Sequence, residues 1–323
     1  MKLCKTLAAA MFFAATAAGS GTHAADAYPN RPIILVVPFT PGSGTDVSAR
    51  QLGKTLSEKS GQQVIVENRP GGNNAIGVRH VVNAAPDGYT ILIGTNSPVA
   101  GNVALFKSLA YDPVKDLKPV APLSRQDWVV VVKSDSRFKT LKELLAAGKQ
   151  DPLLLTAGAG AAGYQLAAMM LAKNAGADVN VIPYSGTPQA VQDVLGGRLS
   201  FAVVDAGSVL TQIKGGNLRA IGALAEDRIE LLPDVPTLKE LGLPSIPLMS
   251  WAGIFVPART PDDVVTKLQG LIEASLITNQ LRDYYKSIGA VTLSGGPDEL
   301  RKMQTADITV YRDAMKKTGL PQI

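Results

Sequence analysis

The residues with most to offer a ligand are small and uncharged. Phe39-Thr40-Pro41-Gly42-Ser43-Gly44-Thr45-Asp46 joins an apolar run of strand length, residues 32–38, to a segment of helical spacing from Val47 to Lys59. A glycine-rich turn at such a junction directs backbone N–H groups outward at the positive end of a helix dipole, which is an anion-binding arrangement. Ser43 and Thr45 add hydroxyl donors, and Gly42 and Gly44 allow unusual dihedrals and close approach of a ligand to the backbone. Asp46 is placed to cap amides. A tight turn with no ligand is the competing account of the same glycines. Tyr184-Ser185-Gly186-Thr187-Pro188 repeats the logic, with Thr187 placed as an N-cap and Pro188 at the favoured first helical position. Capping alone is the alternative there.

Other chemistry is poorly supplied. Gly158-Ala159-Gly160-Ala161-Ala162-Gly163 spells G-x-G-x-x-G after an expected strand at residues 153–156, and Asp178 follows at about the ribose-binding distance of a dinucleotide fold. That acid should end the next strand, whereas Asp178 precedes one at residues 179–184, so the dinucleotide assignment fails. Amides of the same loop, at Ala159 and Gly160, stay available to a small ligand. One Cys and two His in the whole chain leave few nucleophiles or metal ligands, and no G-x-S-x-G occurs. His80 falls in an apolar helical segment beside Arg79, on the surface or packed. Asp262-Asp263 and Glu226-Asp227 flank helices or loops as solvated or dipole-compensating charge. Trp128 and Trp251 fall where the chain passes between two units, lining a cleft or simply buried. Neither a metal nor a cofactor is expected.

Residues 1–25 read as a secretory signal peptide, with Lys2 and Lys5, an apolar run over residues 7–18 and a small-residue site at Thr22-His23-Ala24. The apolar run is too short to span a membrane, so export without direct membrane insertion is expected. Loss of 25 of the 323 residues leaves 298, without Cys4 or His23. Basic residues fall from 32 to 30 against 27 acidic ones, and the net charge drops from +5 to +3. No Lys/Arg run or aromatic-interleaved basic stripe occurs, which argues against nucleic-acid binding.

These loops need scaffolds. With 46% hydrophobic residues the chain has the composition of a folded α/β protein, and its length suggests two domains. Strands at 32–38, 64–67 and 90–94 alternate with helices at 47–59 and 75–84, the pattern of right-handed βαβ crossovers. Val47, Leu52 and Leu56 suggest one face of the first helix. A proline-punctuated stretch, 113–122, precedes a second unit. Its strands are expected at 128–133, 153–156, 179–184, 201–205 and 220–224, with helices at 141–147, 164–174 and 187–195. A strand at 251–256 and closing helices at 261–279 and 297–318 complete the chain.

The set of loops has a recognisable order. Pro38-Phe39-Thr40-Pro41-Gly42-Ser43-Gly44-Thr45-Asp46, Val66-Glu67-Asn68-Arg69-Pro70-Gly71-Gly72 and Ala85-Pro86-Asp87-Gly88-Tyr89-Thr90 resemble the substrate-binding proteins of tripartite tricarboxylate transporters, the Bug family. Tyr111-Asp112-Pro113, Pro183-Tyr184-Ser185-Gly186, Leu195-Gly196-Gly197, Leu232-Pro233-Asp234-Val235-Pro236-Thr237 and Ser250-Trp251 follow in the same order. The resemblance implies a two-lobed periplasmic binding protein of type II, each lobe a wound mixed α/β sheet flanked by helices. Residues 26–124 and 252–323 would form the first lobe and 125–251 the second. It implies a small organic carboxylate as ligand, delivered to the membrane permease subunits of a tripartite transporter, with no catalysis. By the same resemblance, the loops of Phe39, Thr40, Gly42, Ser43, Gly44 and Thr45 and of Tyr184, Ser185, Gly186 and Thr187 grip a carboxylate through amides and ordered water. Asn96 and Ser97 match a polar loop of the first lobe, and Asp205 the end of a second-lobe strand. Relatives commonly carry Ser, Asn or Thr where this chain has Ala157 to Ala162, which argues against a highly polar tricarboxylate. An exported enzyme using Asp46 or Asp205 as a base, and a sensor serving a signalling partner, are the alternatives. Arg125 is expected to contribute no charge to the ligand.

Overall fold

The structure is a computed structural model that describes residues 28–151, 155–319 and 321–322. The expected leader, and residues 153–154 of one expected strand, lie outside the described residues. Five consecutive large apolar residues give β1 (Ile33–Val37) no polar face, so the strand is covered on both sides. α1 (Gly44–Ser60), β2 (Val64–Asn68), α2 (Ala75–Val82), β3 (Thr90–Thr95), a π-helical turn (Ser97–Gly101), α3 (Asn102–Leu105) and β4 (Leu117–Gln126) follow. The chain then builds β5 (Trp128–Lys133), α4 (Leu141–Gln150), β6 (Thr156–Ala159), α5 (Ala162–Asn174), β7 (Asn180–Pro183), α6 (Thr187–Leu195), β8 (Phe201–Asp205), α7 (Ala206–Lys214) and β9 (Leu218–Leu224). It closes with β10 (Ser250–Pro257), α8 (Asp262–Leu276), α9 (Asn279–Ser287), β11 (Val291–Thr292) and α10 (Pro297–Thr318).

Two sheets result, in the orders β11-β4-β10-β3-β1-β2 and β7-β6-β8-β5-β9. Both share one plan: second, first and third parallel strands, then an antiparallel strand arriving from the other sheet, then a fourth. The arriving strands are β10 and β5, so the chain crosses between lobes at Asp127 and again between β9 and β10. In the first lobe Ile33, Leu35 and Val37 join Leu52, Leu56, Leu268 and Ile272 in one buried cluster, while Val36 packs with Val78, Val81 and Leu300 on the opposite face. In the second, Val130 and Val132 share a cluster with Leu144 and Leu166, and Val129 and Val131 with Val194 and Val209. Among the described residues no helix is long and apolar enough to cross a membrane.

Several departures from the sequence pattern have physical causes. The proline-punctuated stretch is partly strand: β4 contains Pro119 and Pro122, and its register against β10 shifts beside each of them, at bulges that tolerate a residue without an N–H. No helix is expected from the sequence at α7 or α9, each only nine residues long. α1 begins three residues earlier than its apolar spacing suggests. Val47 is exposed, and the buried face runs through Asp46, Ala49, Leu52, Gly53 and Leu56.

The G-x-G-x-x-G run is accounted for by packing. β6 runs later than the expected 153–156, and so Gly158 lies inside it, where a Cβ would meet Leu199 and Ala190 at 2.7 and 2.9 Å. A Cβ on Gly160 would lie 2.5 Å from the backbone of Gly186 and Thr187, and one on Gly163 would lie 2.6 Å from the Tyr311 hydroxyl. Each glycine marks a place where another segment passes too close for a side chain. Gly160→Ala should therefore destabilise the protein by about 1–3 kcal/mol in urea denaturation, the usual cost of overpacking against backbone that cannot yield.

Candidate functional site

In parallel βαβ units every strand-to-helix turn falls at the carboxyl edge of the sheet, so helix N-termini gather there. Here the two edges face each other. Ser43, Gly44 and Thr45 at the start of α1, Ala161 before α5, Thr187 of α6 and Asp205 before α7 all line one narrow cavity of about 50 Å³ between the lobes. Four helix dipoles thus present their positive ends to one volume.

At α1 the local hydrogen bonds decide which amides are open. Ser43 is the N-cap, and its Oγ accepts from the Asp46 N–H at 3.2 Å. The Asp46 carboxylate reaches back to the Gly42 N–H at 2.9 Å, and the Ser43 N–H donates to the Thr40 carbonyl at 3.2 Å. Gly44 and Thr45 N–H have no partner among the described residues, as expected for the first two positions of a helix. Burial would raise the Asp46 carboxyl, but hydrogen bonds from Arg50, Gly42 and Asn68, with the Arg50 charge, hold it below the ordinary aspartate range. Asp46 is thus a capping anchor: it faces Arg50 and Asn68 and does not line the cavity.

The other expected site residues divide. Phe39 lines the cavity, whereas Thr40 and Gly42 do not: the Thr40 hydroxyl donates across the cleft to Gln189 Oε1 at 3.3 Å and crowds Gly186. From the second loop only Thr187 reaches the cavity. Ser185 is exposed, Gly186 packs on Thr40, and the Tyr184 hydroxyl donates to Asp193. Ala159 ends β6 and Gly160 packs on the α6 loop, so Ala161 is the residue of that segment that lines the cavity. Asn96 and Ser97 line it too, but are engaged: Asn96 donates to the Met249 carbonyl and the Tyr311 hydroxyl at 2.8 Å each, and Ser97 Oγ accepts from the Gly163 N–H at 3.0 Å.

Among the described residues, Asp205 is the one acidic residue that lines the cavity. Its Oδ2 accepts from the Tyr164 hydroxyl at 2.6 Å. Burial pushes the carboxyl up, against lowering contributions from Ser250, Tyr164 and Trp128. The Trp128 indole itself donates to Ser250 Oγ at 2.7 Å and its ring meets Tyr164 edge-on. Trp128 is fully buried behind the site, whereas Trp251 and Arg125 line the cavity. Tyr164, Ser250 and Ser48, whose hydroxyl pairs with Tyr284, complete the polar wall. Ser250 belongs to the Ser250-Trp251 motif, which gives it no role by itself, and Tyr164 and Ser48 carry no motif of their own. The only signal available for Tyr164 is its place one residue after a glycine that must touch the opposite lobe.

Two lobes of matching strand order around a cleft of helix N-termini define a solute-binding protein of the type II periplasmic binding fold. Residues 48–319 match the sequence profile of the family described as Tripartite tricarboxylate transporter family receptor, and the chain belongs to that family. It is 34% identical to Protein BugT of Bordetella pertussis over 322 residues, 99% of each chain. Among solved structures it resembles MatC from Rhodopseudomonas palustris with bound malate, at 28% identity and TM-score 0.85, covering 89% of this chain and 99% of that one. It also resembles R. palustris Rpa4515 with adipate, at 28% identity and TM-score 0.86, covering 90% and 98%. The Bug-family resemblance drawn from the ordered loops is therefore correct.

Behind the cleft, Trp251 donates to Asp307 Oδ2 at 2.7 Å, and burial pushes that carboxyl up to about 6 despite the indole's lowering effect. Folding thus favours the protonated form. The contribution is fully present below the unfolded value near 4 and is lost as pH rises through about 6. Wild type should lose roughly 2 kcal/mol relative to Asp307→Asn between pH 4 and pH 8, read from paired denaturation curves.

Proposed function

We propose that the protein is a periplasmic receptor, matured by loss of residues 1–25, that closes on a small organic carboxylate and passes it to tripartite-transporter permease subunits. The observation that carries this reading is the convergence of four helix N-termini on one interlobe cavity, with the Gly44 and Thr45 amides unpartnered. Membership of a receptor family supports it, and so do relatives whose structures hold malate and adipate, both dicarboxylates. The lobes are taken as residues 26–124 with 252–323, and 125–251, the last residues of β4 and the first of β10 being counted with the crossings. Phe39, Ser43, Gly44, Thr45, Asn96, Ser97, Ala161, Thr187 and Asp205 form the wall around the ligand. Thr40, Gly42, Ala159, Gly160 and the loop from Tyr184 to Gly186 shape that wall from behind.

Binding needs no covalent step. Neutral dipoles hold an anion without the cost of stripping water from a buried guanidinium, and they release it when the lobes part. A cavity near 50 Å³ is far below the roughly 300 Å³ at which small-molecule pockets begin, so entry requires that parting.

A thermal-shift screen against mono-, di- and aromatic carboxylates, with the matching amides as controls, tests the reading. A cognate acid at about 100 times its Kd should add about 2.7 kcal/mol of stability, and the amide should add none. Gly44→Asp should abolish the shift by setting a carboxylate among the dipole ends. Gly44→Ala should leave stability nearly unchanged, because the nearest atoms to its Cβ lie at 3.9 Å. Equal shifts from acids and amides would refute anion recognition.

A further inference from the structure

Asp205 is an anion among groups arranged to attract anions. Its Oδ2 lies 3.9 Å from where a Cβ on Gly44 would stand, so the carboxyl lies beside the first turn of α1. Its Oδ1 is sealed from solvent and has no hydrogen-bond partner among the described residues. Tyr164 of α5 approaches it, as do Trp128 of β5 and Ser250 of β10. Tyr284 of α9 is close enough for the Asp205 charge to raise its hydroxyl. Arg125 of β4 lines the same cavity, yet its charge acts on Asp127 and is not among the influences on Asp205. Burial already disfavours the ionised form of Asp205 before any ligand arrives.

A carboxylate docked on the Gly44 and Thr45 amides comes within a few ångströms of this group. Two ionised carboxylates in so small a volume repel strongly, and the remedy known from paired carboxylates is a single proton held between them. The unpartnered Oδ1 supplies the position for it. We propose that Asp205 makes capture proton-coupled: the lobes close on a carboxylate together with one proton from solvent, shared between Asp205 and a ligand oxygen, and both are returned when the lobes open. The inference rests on the carboxylate reading of the cleft. It makes Asp205 a specificity-determining residue, one that accepts an acid only as the neutral pair of anion and proton.

The test is calorimetric titration of the mature protein with acetate, succinate, benzoate and related acids between pH 5.5 and 8.5, in buffers of differing ionisation enthalpy. The acid that binds best should take up one proton per site near pH 7.5, and its Kd should weaken about tenfold per pH unit on the alkaline side. Asp205→Asn donates a hydrogen bond without titrating, so its Kd should be flat with pH, with no proton uptake and tighter binding than wild type at pH 8.5. Wild-type binding that is flat with pH and proton-neutral would overturn the coupling while leaving the carboxylate receptor intact. If no acid binds at any pH, the receptor reading falls and the coupling with it. Should Asp205→Asn fail to fold, the wild-type slope and proton count decide alone.

Discussion

A helix cannot satisfy its own first N–H groups, and this protein directs that deficit to one place. The first and second lobes repeat the same strand order, so each delivers its strand-to-helix turns to the carboxyl edge of its sheet. Because Ser250 at the start of β10 pairs with Gln126 and accepts from the Trp128 indole on either side of the Asp127 crossing, the two crossings are tied together and the edges are held face to face. The cleft's polarity is therefore a property of topology before it is a property of any side chain. This explains how a chain with so few titratable groups near neutral pH can still present a selective surface.

Topology alone would leave every terminal amide open, and local side chains reduce the number. Ser43 and Asp46 consume the amides at both ends of the Gly42 turn. Ser97 takes the Gly163 N–H, and the Asp127 carbonyl takes that of Ala206 at the head of α7. What remains at α1 is a pair of adjacent donors, at Gly44 and Thr45, with spacing suited to the two oxygens of one carboxylate. Asp46 fixes their direction: its carboxylate is clamped by Arg50 and Asn68, which ties the first turn of α1 to the end of β2.

Much of this was legible in the residues. The apolar run of β1, the alternation of periods and the glycine turn announced a wound α/β chain, and α6, β5 and β8 fall where their patterns place them. β4 was hidden because Pro119 and Pro122 read as breakers, and only pairing with β10 reveals that bulges absorb them. Of the site, the turns could be named but their open atoms could not. Gly42 and Gly44 look equivalent in sequence, yet one amide is capped by Asp46 and the other is free. Tyr164 and Ser250 meet at Asp205 from elements 86 residues apart, a proximity no local pattern encodes.

The same geometry bears on how easily the cleft opens. Direct bonds across it include those from Thr40 to Gln189 and from Gly163 to Ser97. At about 1 kcal/mol net for each such bond, and with water ready to replace them, these bonds add little to the cost of parting the lobes. Asn96 behaves differently, because its bonds to Met249 and Tyr311 tie the end of β3 to the return crossing and to α10, where Trp251 and Asp307 also meet. The hinge side is thus buried and cross-linked while the mouth is held by a few replaceable contacts. A ligand that bridges the two walls of the mouth adds contacts only the closed form can make, which is the condition for an equilibrium that differential binding can move.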